Sequence, residues 1–384
     1  MESDPRKSRD YARANLRLSL LSGGVELALL AVFLVSGASV ALARWVPGGS
    51  GWRVLAYTCL VGAGFKLVSL PFELWGRGIE IRFGMNRQSL GSWWLDQLKG
   101  VALAAILGLG AVEAVYALLR GSPHHWWLWA WIAMAGLYVV LALLGPVVLL
   151  PLFFKLRQMS NDDPSDGPLV ERLEGTYARL RAENPKLPRL HGIFEWKLGE
   201  KSAKANAALT GLGRTRRVII SDTLLESSPV EEIEAVFIHE LGHHVHRDIW
   251  RGLAFQSALG LLGFWLAQEL LRGMAPRLGL YGVSDIAGLP LLLLVFSVLG
   301  LILLPVSNGF VRVMERRADD YSFNTLGTAQ PLMAGLRRLA DKNLAEVSPP
   351  RWKEWLLYSH PSISTRIRRG EEWERCHGAA LGLR

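Results

Sequence analysis

The chain is poor in cysteine and poor in charge. Only two cysteines occur in 384 residues. Cys59 sits inside an apolar run and Cys376 near the C-terminal end, which rules out a disulfide framework and agrees with a reducing environment for the polar part. Charged residues make up 20% against 50% hydrophobic, with 15 Trp. A soluble protein of this length would carry more charge and divide into two or three domains. Internal repeats and low-complexity tracts are missing, which excludes solenoid architectures. A cleavable signal peptide is missing too, because the first apolar run is long and has no small-residue cleavage site before Trp45 and Pro47.

Long apolar runs are what the sequence does have. Crossing a hydrocarbon core takes about 20 apolar residues. Six runs reach that length, near residues 18–43, 54–75, 98–119, 126–154, 250–271 and 289–307. The net charge of +9 has a pattern. Arg6, Lys7, Arg9, Arg13 and Arg17 precede the first run, and Arg77, Arg82, Arg87 and Lys99 lie between the second and third. Arg366, Arg368 and Arg369 follow the sixth. With six spans all of these share one side with the polar segment, while the opposite loops hold few basic residues such as Arg44, Arg53 and Arg120. The positive-inside rule assigns that side, with both termini, to the cytoplasm. The basicity is therefore a topology signal, and nucleic acid is not an expected partner. The expected division is 1–154 (N-terminal membrane domain of about four spans), 155–249 (cytoplasmic polar domain), 250–307 (two further spans) and 308–384 (a C-terminal segment).

Within the polar segment, residues 161–168 form a turn-rich linker. Leu169, Leu173, Tyr177 and Leu180 show helical spacing over 169–183. The stretch from Ala203 to Ser221 reads as a hairpin whose turn is Gly211-Leu-Gly-Arg-Thr. Ser228-Pro229-Val230-Glu231 then reads as a helix start, with Ser228 as cap and Glu231 completing a capping box. Ile233, Phe237, Leu241 and Val245 are the core stripe of that helix.

His239 and His243 leave this helix on one face, about 6 Å apart at Cβ, a spacing that suits two ligands of one Zn²⁺. Glu240 adjoins them, where its carboxylate can take a proton from water. The motif is HExxH in its helical context, yet five residues are short enough to recur by accident on an amphipathic helix. A second element decides the matter. A catalytic zinc site needs a third protein ligand, and Glu315 and Asp319 share a helix face directly after the last run. Glu315 can ligate. Asp319 can accept the second N–H of a ligating histidine, and Ala318 is small enough for the two helices to approach closely.

HELGH followed by Glu315-Arg-Arg-Ala318-Asp319 resembles the gluzincin family of integral membrane zinc peptidases, which includes the type I CAAX prenyl proteases. Leu70-Pro71-Phe72, the stretch Phe83 to Gly91, Pro151-Leu152-Phe153, Asn206-Ala207, Asp222-Thr223-Leu224-Leu225 and Ser359-His360-Pro361 through Arg366 resemble segments of the CAAX protease branch, in order, from about residue 20 to 370. Eukaryotic members have seven spans against six counted here. Asp248 stands where the family often has histidine, and Thr365 replaces a glutamate. The resemblance implies a mainly α polytopic membrane bundle enclosing a water-filled chamber, with a small α+β zincin-like catalytic domain. It implies one Zn²⁺ on His239, His243 and Glu315, with Glu240 as base, Asp319 orienting a ligand, and His360 and Arg366 stabilising the oxyanion. Asn206 and Ala207 would mark the edge that receives substrate as an added strand. Glu26, Lys66, Glu73, Glu113 and Glu269, lying in or beside apolar runs, would face the chamber. The implied partners are membrane lipid and a peptide or membrane-associated protein. That substrate is either a prenylated CAAX-type C terminus or a damaged membrane protein needing no prenyl group. A bacterial plasma membrane is the expected setting.

His244 and His246 read as solvated residues, and His124-His125-Trp126-Trp127 as an interfacial aromatic belt. A site-2-type intramembrane protease also carries HExxH, but there the zinc helix is apolar, whereas Glu231, Glu232, Glu234, Arg247 and Asp248 flank this one. A non-catalytic scaffold with structural zinc would close its coordination with a fourth protein ligand and has no use for Glu240.

Overall fold

The computed structural model describes residues 4–378 apart from 186 and 188. The membrane half begins with α1 (Pro5–Val35), opened by the Asp4 carboxylate accepting from the Arg6 amide and by proline at the first position. There follow α2 (Ala38–Trp45), α3 (Ser50–Phe83), α4 (Leu90–Gly121), α5 (Trp126–Leu144) and, after a π-turn over 145–149 containing Pro146, α6 (Leu150–Phe153). Among the described residues, five helical stretches are long and apolar enough to cross a membrane: α1, α3, α4, Trp126–Phe153 and Ile286–Leu326. They hold 28 to 41 residues, or roughly 40–60 Å at 1.5 Å per residue, more than a ~30 Å hydrocarbon core needs. Only 6% of the apolar window of α4 is buried, so this helix does not sit inside a solid protein core. Two pairs of ionisable groups within the five stretches meet. Lys66 contacts both oxygens of Glu73 at 2.7 Å, and Arg120 meets Glu113 at 2.8 Å.

The polar half carries β1 (Leu156–Gln158), α7 (Gly167–Glu183), β2 (Ile193–Trp196), β3 (Ala207–Thr210), β4 (Arg217–Ser221), α8 (Asp222–Leu225) and α9 (Val230–Val245). The strands form one sheet in the order β1-β2-β4-β3, with β2 parallel to β4 and the other pairs antiparallel. The hairpin expected from the sequence is β3–β4, and β3 lies at the sheet edge. Gly211 turns it at φ +88, and a Cβ there would meet the Thr215 carbonyl oxygen at 2.4 Å, so only glycine fits. Leu169, Leu173 and Leu180 of α7 and Ile233, Phe237 and Leu241 of α9 are buried as their spacing implied. The expected capping box is absent. Pro229 is the N-cap of α9, the Ser228 hydroxyl is buried without a hydrogen-bond partner among the described residues, and Glu231 pairs with Arg172 at 3.2 Å. Proline sits one position earlier than expected, which moves the helix start past the reach of Ser228.

Next come α10 (Asp248–Met274) and α11 (Leu289–Leu326). The sequence suggested six apolar runs, and five of them fall in helices long and apolar enough to cross by length and composition; α10 covers the remaining run. It has 27 residues but is not among the helices apolar enough to cross, because Arg251, Gln256, Ser257, Gln268 and Glu269 dilute its hydropathy. Buried Gln268 accepts a hydrogen bond from the Trp126 indole. Trp126 is itself fully buried, edge-on to Phe264, so it belongs to the helix-packing core and not to an interfacial belt.

Helix α11 runs unbroken through residue 307, so its apolar first half and polar second half form one rod. α12 (Gln330–Lys342), α13 (Arg351–Leu357) and α14 (Ile363–Gly378) close the chain behind α9. Helices α9 and α11 approach each other closely. A Cβ on Gly242 would lie 3.1 Å from the Ala318 Cα and 3.2 Å from the Tyr321 Cβ, and the Ser322 hydroxyl donates to the Ala235 carbonyl at 3.0 Å. Helical Gly242 costs propensity and is explained by this contact. Gly242→Ala is therefore expected to destabilise by about 1–3 kcal/mol through overpacking and to lower bound metal per chain in the purified protein. A variant with unchanged melting temperature and metal content would refute the close contact.

Candidate metal centre

Helix α9 presents His239, Glu240 and His243, and α11 brings Glu315 to the same point. One donor atom from each of His239, His243 and Glu315 lies within 4.8 Å of the others. The His239 Nε2 is 3.5 Å from Glu315 Oε2 and the His243 Nε2 is 3.4 Å from Glu315 Oε1. The two rings stand perpendicular, 4.9 Å apart. His239 and Glu315 are buried and His243 is half-buried.

Each histidine has a carboxylate behind it. His239 Nδ1 meets Asp319 Oδ1 at 3.0 Å, the partnership expected of Asp319. His243 Nδ1 meets Asp248 Oδ2, also at 3.0 Å. Asp248 went unassigned in the sequence reading, where it appeared only as a departure from a family pattern. No local signal marks it: it opens α10 just after Arg247, which turns the chain in the left-handed region at φ 56. That reversal folds residue 248 back beside 243. Asp248 is 5% exposed, and Arg317 lies 3.8 Å from it.

Arg366 is buried and binds Asp319 with two nitrogens, Nε to Oδ2 at 3.0 Å and Nη2 to Oδ1, while its Nη1 is 3.7 Å from Glu315. His360 approaches Glu315 from the open side, its Nε2 3.3 Å from Oε1 and its side chain 58% exposed. The loop carrying it is anchored by Arg312, which donates to the carbonyls of Glu354, Trp355 and Tyr358.

Glu240 accepts from the Leu209 amide at 3.1 Å, which sets it against strand β3. The backbone of Asn206 is paired with Ser221, since its carbonyl accepts the Ser221 N–H and its amide donates to the Ser221 hydroxyl, both at 2.9 Å. By the alternation of an antiparallel ladder, Ala207 and Leu209 then point their backbone groups to the free edge. The Asn206 side chain is exposed at that edge.

The cluster suits a dication. It is strongly electronegative, because burial opposes charging of His243, yet Asp248 and Glu315 outweigh it and hold that ring up at about 10. His239 is raised against burial in the same way by Asp319 and Glu315. Glu315 Oε2 is buried without a hydrogen-bond partner among the described residues, which a ligand role would satisfy. The donor set of two imidazoles and one carboxylate is one that zinc accepts.

Two expectations fail here. His244 is 7% exposed rather than solvated, because it turns into the sheet side of α9, and burial together with the Arg216 charge pushes its ring down to about 3. His246 is half-buried with its ring edge-on to Tyr321. His124 and His125 are exposed at the start of α5.

Comparison with known proteins agrees with this geometry. Residues 2–155 match the family described as CAAX prenyl protease N-terminal, five membrane helices, and residues 171–374 match peptidase family M48. A Bacillus subtilis (strain 168) protein named "Uncharacterized metalloprotease YhfN" is 30% identical over 374 residues, covering 96% of this chain and 85% of that one. CAAX prenyl protease 1 of Saccharomyces cerevisiae is 26% identical, with 94% and 84% covered, and its Oryza sativa homolog is 28% identical, with 82% and 72% covered. The crystal structure of S. mikatae Ste24p superposes with a TM-score of 0.82 at 24% identity, over 95% of this chain and 88% of that one, which shows the same fold. The chain belongs to peptidase family M48 and is a multi-pass membrane metallopeptidase.

Proposed function

We propose that the metal is one zinc ion per chain, held by His239, His243 and Glu315, and that the enzyme cleaves membrane-associated peptides with Glu240 as general base. The observation that carries this reading is the meeting of the three ligand candidates beside Glu240, itself fixed against an edge strand. Bound zinc supplies a Lewis acid that polarises the scissile carbonyl and lowers the pKa of water towards ~7. Glu240 takes the proton from the attacking water and passes it to the leaving nitrogen. His360, exposed on the open side of Glu315, donates to the developing oxyanion. Arg366 was expected to do the same, but its nitrogens are engaged by Asp319 and Glu315. We assign it a positioning role that acts through those carboxylates. Asp319 and Asp248 orient His239 and His243. The outward edge of β3 at Asn206 and Ala207 receives the peptide as an added strand, with backbone groups of Ala207 as its first partners and the Leu209 amide held by Glu240.

The basic segments flanking the spans support an orientation with this site and both termini in the cytoplasm of a bacterial cell. For substrate we favour the C termini of prenylated CAAX-type peptides, because the CAAX prenyl proteases among its relatives bear that name. Cleavage of farnesylated and unmodified forms of one peptide by the detergent-purified protein tests this directly. A higher kcat/KM for the farnesylated form is expected. Equal rates would instead favour a quality-control protease that needs no prenyl group.

Glu240→Gln should retain bound zinc while lowering kcat by about 10²–10⁴-fold. Loss of metal in that variant would mean Glu240 is structural. Asp248→Ala and Asp319→Ala should each weaken zinc about 10–100-fold in a chelator competition. A normal affinity for Asp248→Ala would remove it from the site.

A further inference from the structure

Beside the metal cluster lies a second cavity, of about 510 Å³, formed where the β3–β4 turn faces the start of α10. Leu212 and Arg216 line it from the turn, His243 and His244 from α9, and Arg247 and Trp250 from the α9–α10 corner. It carries two guanidinium groups, and no carboxylate is among its described lining residues. Elsewhere in the domain buried carboxylates meet arginines, Glu232 with Arg338 at 2.8 Å and Asp166 with Arg157 at 2.6 Å.

Two groups in the cavity lack partners. Among the described residues the buried Arg216 Nε has no hydrogen-bond partner and the Arg216 guanidinium forms no ion pair. Burial lowers its pKa, and only the Tyr177 hydroxyl acts against that. His244 is 7% exposed, and its Nε2 is buried and unpartnered, while the backbone of Leu209 engages its ring. Buried polar groups are normally satisfied, and a half-buried guanidinium without a counter-charge suits a planar anion that it can grip with two parallel N–H bonds.

The position of the cavity identifies the anion. His243 lines both the cavity and the metal cluster, so a ligand here lies next to the scissile bond. Strand β3 runs from Asn206 past Leu209, which is bonded to Glu240, to Leu212 at the cavity. A peptide lying antiparallel on the free edge of β3 crosses the cavity before it reaches Glu240. We propose that this cavity is a substrate subsite for a peptide carboxylate, gripped by Arg216, with His244 Nε2 meeting the neighbouring peptide N–H. It rests on the reading of β3 as the substrate strand. In the antiparallel arrangement the carboxylate is an Asp or Glu side chain N-terminal to the scissile bond. In the parallel arrangement it is the C-terminal carboxylate.

The test uses full-length, zinc-loaded protein in detergent and a peptide set bearing Glu or Gln at each position around the cleaved bond, each with a free-acid or amidated C terminus. The expected result is a tenfold or larger advantage in kcat/KM, carried by KM, for the acid at one position. An advantage for Glu over Gln upstream of the bond identifies the side chain, and an advantage for free acid over amide identifies the C terminus. Arg216→Gln should bring that acid-to-neutral ratio close to one, Arg216→Lys should retain part of it, and Arg216→Glu should reverse it towards a lysine at the same position. Equal cleavage of all peptides by the wild type would overturn the subsite while leaving the metal centre intact. So would an Arg216→Gln variant that loses activity on acidic and neutral peptides alike with the ratio unchanged. Failure of the zinc-loaded wild type to cleave any peptide would overturn the proposed mechanism, and the subsite with it.

Discussion

The contact on which the rest of this site depends is the approach of α9 to α11 at Gly242 and Ala318. HExxH supplies two histidines from one helix, but the third donor is 72 residues further along the chain, on a rod whose other half is apolar. Glu315 reaches the cluster because Gly242 has no side chain where the Ala318 Cα and the Tyr321 Cβ come against α9. Because α11 is continuous, its membrane half also bears on where Glu315 stands, so metal chemistry and bundle geometry are mechanically joined. Rigid packed interfaces transmit such strain.

Charge is balanced outward from the cluster in layers. His239 and His243 lean on Asp319 and Asp248, and these lean on Arg366 and Arg317. A carboxylate buried without a cation would be costly, and a histidine without a carboxylate would be free to rotate. The arrangement orients both imidazoles and moderates the negative field that burial intensifies. His360 stands apart from this scheme: it is exposed and its imidazole faces the open side of Glu315, which is what a group that meets substrate requires.

Much of this was legible in the sequence because it rests on local periodicity. The four-residue stripe of α9, the spacing of His239 and His243, the glycine-bearing turn of the β3–β4 hairpin and the five most apolar helices all follow from residues near one another in the chain. The failures share a tertiary cause. Nothing local in 250–271 shows how α10 houses its polar groups, which only the packing of Gln268 against Trp126 reveals. His244 adjoins a charged surface in sequence, yet it points into a cavity closed by a hairpin some 30 residues earlier. The link from Asp248 to His243 required a left-handed residue at Arg247, a conformation few non-glycine residues adopt and no local propensity announces.

The polar half is also tied to the membrane half at the strand that matters most. The loop after α3 pairs with the segment leading into β3: the Arg87 amide donates to the Lys201 carbonyl and the Ala203 amide to the Met85 carbonyl, both at 3.0 Å. Lys201 reaches Asp96 on α4 and the Phe153 carbonyl at the end of α6, and Lys204 meets Glu80 on α3 at 2.8 Å. On the other flank Asn343 bonds both the amide and the carbonyl of Ala205. The residues just before the free edge are thus fixed by helices on both sides, so the edge cannot slide relative to α9. Register matters here because a shift of one residue would exchange the outward backbone groups of Ala207 for the inward ones of Ala208. A peptide added to this edge therefore inherits its alignment with Glu240 from the membrane helices, and so the stretch from Phe83 to Gly91, far from the metal in sequence, belongs to the same working unit.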